Sequence, residues 1–142
     1  MTQKTILLVE DNPDDEELAV RALQRNKVGN AIVVARDGQE ALDFLLDESQ
    51  PLPALVLLDL KLPKVSGLEV LQQLRATGRT QILPVVMLTS SRVPSDVSES
   101  YRLGANSFVV RPMNFPTYLR VLGDIINYWL ITNEQPPSGA SA

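Results

Sequence analysis

Short runs of almost unbroken apolar residues punctuate the chain at positions 6–9, 31–35, 54–58 and 84–88, and a fifth lies at 107–110. They are apolar throughout rather than alternating, the pattern of strands covered by helices on both faces. Their starts lie roughly 23–30 residues apart, room each time for a helix and two loops. Between them the period changes to that of a helix. Leu18, Ala19, Ala22 and Leu23 share a face after an acidic first turn, and Ala41, Leu42 and Leu45 do so after Asp37-Gly38. Leu68, Leu71 and Leu74 follow Ser66-Gly67, with Gly78 as a stop signal. A more polar helix is expected around Glu99 with Ser95 as its cap, and a fifth from Phe115. The alternation predicts an α/β fold, (βα)5, built on a doubly wound parallel sheet of five strands. One domain is expected over residues 1–132. The tail 133–142, with Pro136-Pro137 and small residues, reads as disordered.

The last helix carries more apolar surface than docking requires. Phe115, Leu119, Leu122, Ile126 and Trp129 form one stripe, and Tyr118, Val121, Ile125 and Tyr128 form a second beside it. Together they span an arc of roughly 180°, against the ~100° typical of a surface helix. The second stripe is therefore expected to stay exposed and to form the interface of a two-fold homodimer.

Composition narrows the chemistry. The 142 residues include no cysteine and no histidine. Disulfides, thiol nucleophiles, imidazole catalysis and His- or Cys-bound metals are excluded. With 13 basic and 17 acidic side chains the net charge is −4, which argues against a nucleic-acid surface. No run approaches the ~20 apolar residues that span a bilayer, and no signal segment is visible. A cytoplasmic protein without membrane contact is expected.

In an open parallel α/β sheet the functional crevice lies at the carboxyl ends of the strands. The first run ends in Glu10-Asp11, the third in Asp59, the fourth in Thr89-Ser90 and the fifth in Arg111-Pro112. Three neighbouring carboxylates repel one another unless compensated. A hard cation such as Mg²⁺ compensates them, taking one or two carboxylates with waters and phosphate oxygens. Asp59 is then free to act as a nucleophile toward phosphorus, with Arg111 neutralising charge and Thr89 bonding a phosphoryl oxygen. Taken singly, these residues have plainer readings. Asp14 to Glu17 suit a helix start, Phe108 suits a core, and Lys61 and Lys64 suit a solvated loop.

The rim resembles the receiver domain of two-component response regulators. The likeness rests on Val9-Glu10-Asp11-Asn12, Leu57-Leu58-Asp59-Leu60, Leu62-Pro63-Lys64 leading to Gly67, Met87-Leu88-Thr89-Ser90, Gly104-Ala105 and Val110-Arg111-Pro112, in order and in register over residues 4–130. It implies the flavodoxin-like (CheY-like) fold. It also implies Mg²⁺ held by Glu10, Asp11, Asp59 and the backbone carbonyl of Lys61, and phosphoryl transfer to Asp59 from the phosphohistidine of a partner kinase. Thr89 and Phe108 would be the switch pair, and Arg111-Pro112 a cis peptide aiming residue 111 into the site. The extended last segment, Tyr118 to Leu130, is similar to small cyanobacterial phytochrome-associated response regulators that stand alone and dimerise, which points to a phytochrome-type histidine kinase.

One departure stands out. The family carries lysine where this chain has Arg111, and a planar, forked guanidinium is not equivalent to a compact ammonium. Three functions follow for comparison. The first is a stand-alone phosphoacceptor signalling by association or in a phosphorelay. The second is a pseudo-receiver, a dimeric adaptor whose phosphorylation Arg111 impairs. The third is a Mg²⁺-dependent aspartyl phosphohydrolase, opposed by Lys61 standing where such enzymes carry a second acid.

Overall fold

The computed structural model describes residues 4–26 and 31–136. Five parallel strands, β1 (Thr5–Val9), β2 (Ala31–Ala35), β3 (Leu55–Leu58), β4 (Val85–Thr89) and β5 (Ser107–Val110), form one sheet in the order β2-β1-β3-β4-β5. Helices α1 (Pro13–Arg25), α2 (Gly38–Leu45), α3 (Gly67–Ala76), α4 (Pro94–Arg102) and α5 (Phe115–Ile126) connect and close it. A 3₁₀ turn, Gly78–Thr80, follows α3, and a π-helical turn, Asn127–Thr132, extends α5. The expected (βα)5 architecture and extended last helix are both present.

Each strand splits its side chains between two cores. Leu7, Val9, Val56, Leu58, Val85 and Met87 pack against Ala41, Leu42 and Leu45 of α2 and Val70, Leu71 and Leu74 of α3. Ile6, Leu8, Leu55, Leu57, Val86 and Leu88 pack against Ala19, Ala22 and Leu23 of α1 and Leu122, Ile125 and Ile126 of α5. The central strand β3 is fully buried along its length, which is why its sequence lacks alternation. Truncating Leu57 to Ala there would cost about 2–5 kcal/mol.

Local chemistry sets the helix starts. Asn12 accepts from the backbone N–H of Asp14 and Asp15, Asp37 from that of Glu40, and Ser66 forms a reciprocal capping box with Glu69. The expected Ser95 cap is corrected. Helix α4 begins at Pro94 behind Val93, which makes no side-chain cap. Proline's fixed φ suits the first helical position, so the helix starts before Ser95.

The expectation for the last helix also needs correction. The buried face of α5 is Tyr118, Leu122, Ile125 and Ile126, so Tyr118 and Ile125 belong to the core, not to an exposed second stripe. Val121 is half-buried and Tyr128 is exposed. A long-range contact ties the helix to α1. Asn26, at the end of α1, donates from Nδ2 to the Leu119 carbonyl at 3.1 Å. A Cβ on Gly123 would lie 2.6 Å from the Asn26 Oδ1 atom, so a larger residue there would push the Asn26 amide out of its place between α1 and α5. The first residues beyond position 132 are tied back as well. Asn133 donates its backbone N–H to the Tyr128 carbonyl at 2.6 Å, and Gln135 Nε2 donates to that of Trp129. The rest of the expected tail, 137–142, lies outside the described residues.

Candidate functional site

At the carboxyl end of the sheet, adjacent parallel strands deliver acids from two loops. Glu10 follows β1 with its N–H on the Ala35 carbonyl, and Asp59 follows β3 with its N–H on that of Val9. Ladder bonds therefore carry the register of the buried strands into the loops. Carboxylate oxygens of Glu10, Asp11 and Asp59 all lie within 4.8 Å of one another. The acidic loop is shaped by Asn12, whose N–H donates to Glu10 Oε2 at 3.2 Å while its side chain caps α1. Beyond Asp59 the chain turns back closely: Gly67 donates to the Leu60 carbonyl at 2.8 Å, and a Cβ on Gly67 would sit 2.1 Å from the Asp59 carbonyl oxygen.

Burial depth differs within the trio. Glu10 is buried, Asp59 half-buried and Asp11 exposed. Burial raises the Glu10 carboxyl from its ordinary 4.5 to about 7, and the neighbouring Asp59 charge adds to it. The Asn12 N–H and the Arg111 charge pull the other way. Asp59 is also raised, again first by burial, against the opposing bonds from the Thr89 hydroxyl and the Leu60 N–H and against Arg111. A divalent cation among these oxygens would offset the cost of bringing the carboxylates together. The donors are hard carboxylate oxygens, and the chain has no imidazole or thiolate to recruit a softer metal. The residues present fit Mg²⁺ or Mn²⁺.

Thr89 is buried at the end of β4, and its hydroxyl is near enough to Asp59 to pull that carboxyl down, so the expected neighbour is in place. Phe108 pairs with Met87 in the β4–β5 register, and its half-buried ring packs on the core beneath α2 and α3. Its backbone N–H donates to the Tyr101 hydroxyl at 3.2 Å. Lys61 is exposed and Lys64 stands 3.5 Å from Asp37.

Arg111 reaches the rim but differs from expectation in two respects. The Arg111–Pro112 peptide is trans, as is every peptide among the described residues. An X–Pro bond prefers trans by about 0.5–1 kcal/mol, and the long arginine side chain reaches the acids from that backbone. Moreover, its guanidinium ion-pairs with Glu10 at 3.3 Å and with Asp15 at 3.2 Å, and makes no ion pair with Asp59. Sequence reasoning missed Asp15, which it assigned to the helix dipole. The available signal was the arginine itself, whose fork can reach a second acid one turn into α1. Tyr118, assigned to an exterior stripe, was missed too. Burial raises its hydroxyl, which also feels the charges of Arg111, Glu10, Asp15 and Asp59.

The family model described as response regulator receiver domain matches residues 6–122. A probable methanogenesis regulatory protein, FilR2 of Methanothrix harundinacea, is 42% identical, covering 92% of this chain and 86% of its own. Response regulator Rcp1 of Synechocystis is 36% identical, covering 94% of this chain and 93% of its own. The Mn²⁺-bound form of Rcp1 superposes with a TM-score of 0.86, covering 94% of this chain and 99% of that one. The phosphorylated cyanobacterial phytochrome response regulator RcpA gives 0.87 at 34% identity, covering 96% of this chain and 100% of that one.

Proposed function

The chain belongs to the response regulator receiver domain family, and from that premise we propose that it accepts a phosphoryl group on Asp59 from a partner histidine kinase and signals by association. Receiver domains of this family are signalling proteins that work with histidine kinases and bind Mg²⁺ or Mn²⁺ at an acidic site. The observation that carries the reading is the meeting of Glu10, Asp11 and Asp59 at the ends of β1 and β3, with Thr89 buried at the neighbouring end of β4.

In the transfer, an Asp59 carboxylate oxygen forms a bond to phosphorus as the P–N bond of the donor phosphohistidine breaks, and the leaving imidazole nitrogen takes up a proton. Thr89 donates its hydroxyl to a phosphoryl oxygen, and Arg111 offsets charge on the Glu10 side. Glu10, Asp11, Asp59 and the carbonyl of Lys61 would hold Mg²⁺, which neutralises the acids and the phosphoryl oxygens together. Phe108 is proposed to follow Thr89 inward. The likeness to the phytochrome response regulator RcpA and to Rcp1 supports a kinase of phytochrome type and a cytoplasmic setting. Among the described residues no helix is long and apolar enough to cross a membrane.

Homodimerisation is proposed through what remains uncovered near the end of α5, namely Val121, Tyr128 and the neighbouring Ile131, the last two 49% and 73% exposed. Sedimentation at tens of micromolar tests it. The wild type should run as a dimer and Tyr128→Glu with Ile131→Glu as a folded monomer; a monomeric wild type removes the interface. A second reading has a specific observation behind it. Arg111 pairs with Glu10, the acid a metal needs, which favours an adaptor with impaired phosphorylation. Incubation with a small phosphodonor and Mg²⁺, followed by intact mass, separates the two.

A further inference from the structure

The acidic first turn of α1 divides its partners unequally. Glu16 pairs with Arg36 and Glu17 with Arg21, both arginines more than half exposed. Asp15 instead points inward to Arg111, a side chain only 18% exposed. Its own N–H is fixed on Asn12 Oδ1 at 3.1 Å, so the carboxylate is presented from a capped and rigid turn. The guanidinium thus has one arm on Glu10 and the other on Asp15, bridging the β1 loop to α1. Both contacts lie where water screens charge poorly.

We propose that Asp15 is a positioning residue: by holding one arm of Arg111 it parks the guanidinium between itself and Glu10, away from Asp59, and so sets how readily the acidic site takes a divalent cation. The inference rests on the metal site proposed above. A divalent cation at Glu10, Asp11 and Asp59 must share Glu10 with Arg111. While Asp15 draws off part of the guanidinium's charge, the sharing is tolerable. Without Asp15, the whole positive charge turns on the same oxygens the cation needs. Asp15 never touches the cation or the phosphoryl group; it works through Arg111.

Mg²⁺ affinity measured by titration calorimetry in a double-mutant cycle tests this, with urea denaturation of each variant alongside. Arg111→Met should tighten Mg²⁺ binding relative to wild type. Asp15→Asn should weaken it by about threefold or more in the wild-type background and by clearly less in the Arg111→Met background. Asp15→Glu should restore most of the wild-type affinity. An Asp15→Asn effect of equal size in both backgrounds would mean that Asp15 acts only through space, and overturns the proposal. So would a loss of affinity that follows loss of stability and is not rescued by glutamate. If neither wild type nor Arg111→Met responds to Mg²⁺, the metal site itself fails. If both respond but the cycle shows no coupling, only this inference fails.

Discussion

Two arginines withdrawn from solvent sit at opposite ends of the sheet, and they are satisfied in opposite ways. Arg75, near the end of α3, lies at the edge where β4 and β5 begin. It donates to the carbonyls of Leu83 at 2.8 Å, Gly104 at 2.9 Å, Thr80 at 3.1 Å and Gln81 at 3.2 Å, and to Asn106 Oδ1 at 3.0 Å. Gly104 presents its carbonyl from φ +105°, a conformation other residues resist. Every acceptor is neutral, and burial alone lowers the Arg75 pKa. Arg111 lies at the edge where the strands end, held by two carboxylates. A cation caged by backbone carbonyls has no competitor and ties three segments together. A cation held by acids can be traded for another cation. The same residue type is therefore structural at one end and adjustable at the other.

The largest expected effect breaks this contrast directly. Arg75→Met should destabilise the protein by about 3 kcal/mol in urea denaturation, because several carbonyls lose their donor at once. Arg111→Met leaves Glu10 and Asp15 without their cation, a loss that another cation can make good, so its cost should be smaller than that of Arg75→Met and Mg²⁺ should offset it. Comparable losses for both arginines, unaffected by Mg²⁺, would erase the distinction.

Next in size is the metal effect. Mg²⁺ at a hundred times its dissociation constant should stabilise the wild type by about 2.7 kcal/mol, seen as a raised melting temperature. Glu10→Gln with Asp11→Asn should abolish that response and make the metal-free protein more stable. A response surviving in the double variant would place the ion elsewhere.

The acids also predict a pH dependence. The Glu10 carboxyl is raised from 4.5 to about 7 in the folded chain, so between these values the folded state binds more protons than the unfolded one. Metal-free stability should therefore fall as pH rises from about 4.5 to about 7, by roughly 1–3 kcal/mol, with Asp59 acting in the same sense. Mg²⁺ affinity should rise over the same window. Denaturation curves that are flat in pH without metal would contradict the crowding of the acids. The smallest effect expected is that of Arg111→Lys, which should leave phosphoryl uptake undiminished; lower uptake would make the guanidinium a specialised requirement.

Local pattern made most of the fold legible. The apolar runs locate β1 to β5 to within a residue or so at each end, because fully covered strands cannot disguise themselves. Glu10, Asp11, Asp59 and Thr89 were legible for a related reason: the ends of parallel strands share one rim. The Ser95 cap was a local loss, to Pro94 at the first helical position; the others were long-range. The α5 face that turns inward is the one packed on α1 and the sheet, where Asn26 meets Leu119 and Gly123, far apart in sequence. Tyr118 and Ile125 are buried in the core between the sheet and α1, so a glutamate at either would unfold the core rather than split a dimer. The alliance of Asp15 with Arg111 depends on the reach of one side chain from β5 across to α1. Periodicity along a single helix carries no trace of either.

The central claim, that the acids at the strand ends make Asp59 a phosphoacceptor, is tested most directly by intact-mass measurement after incubation with a small phosphodonor. The wild type should gain a single phosphoryl group in the presence of Mg²⁺ and none in its absence, and Asp59→Asn should gain none while keeping the wild-type fold. Uptake by Asp59→Asn at the wild-type rate, or no uptake by the wild type with Mg²⁺ present, would contradict it.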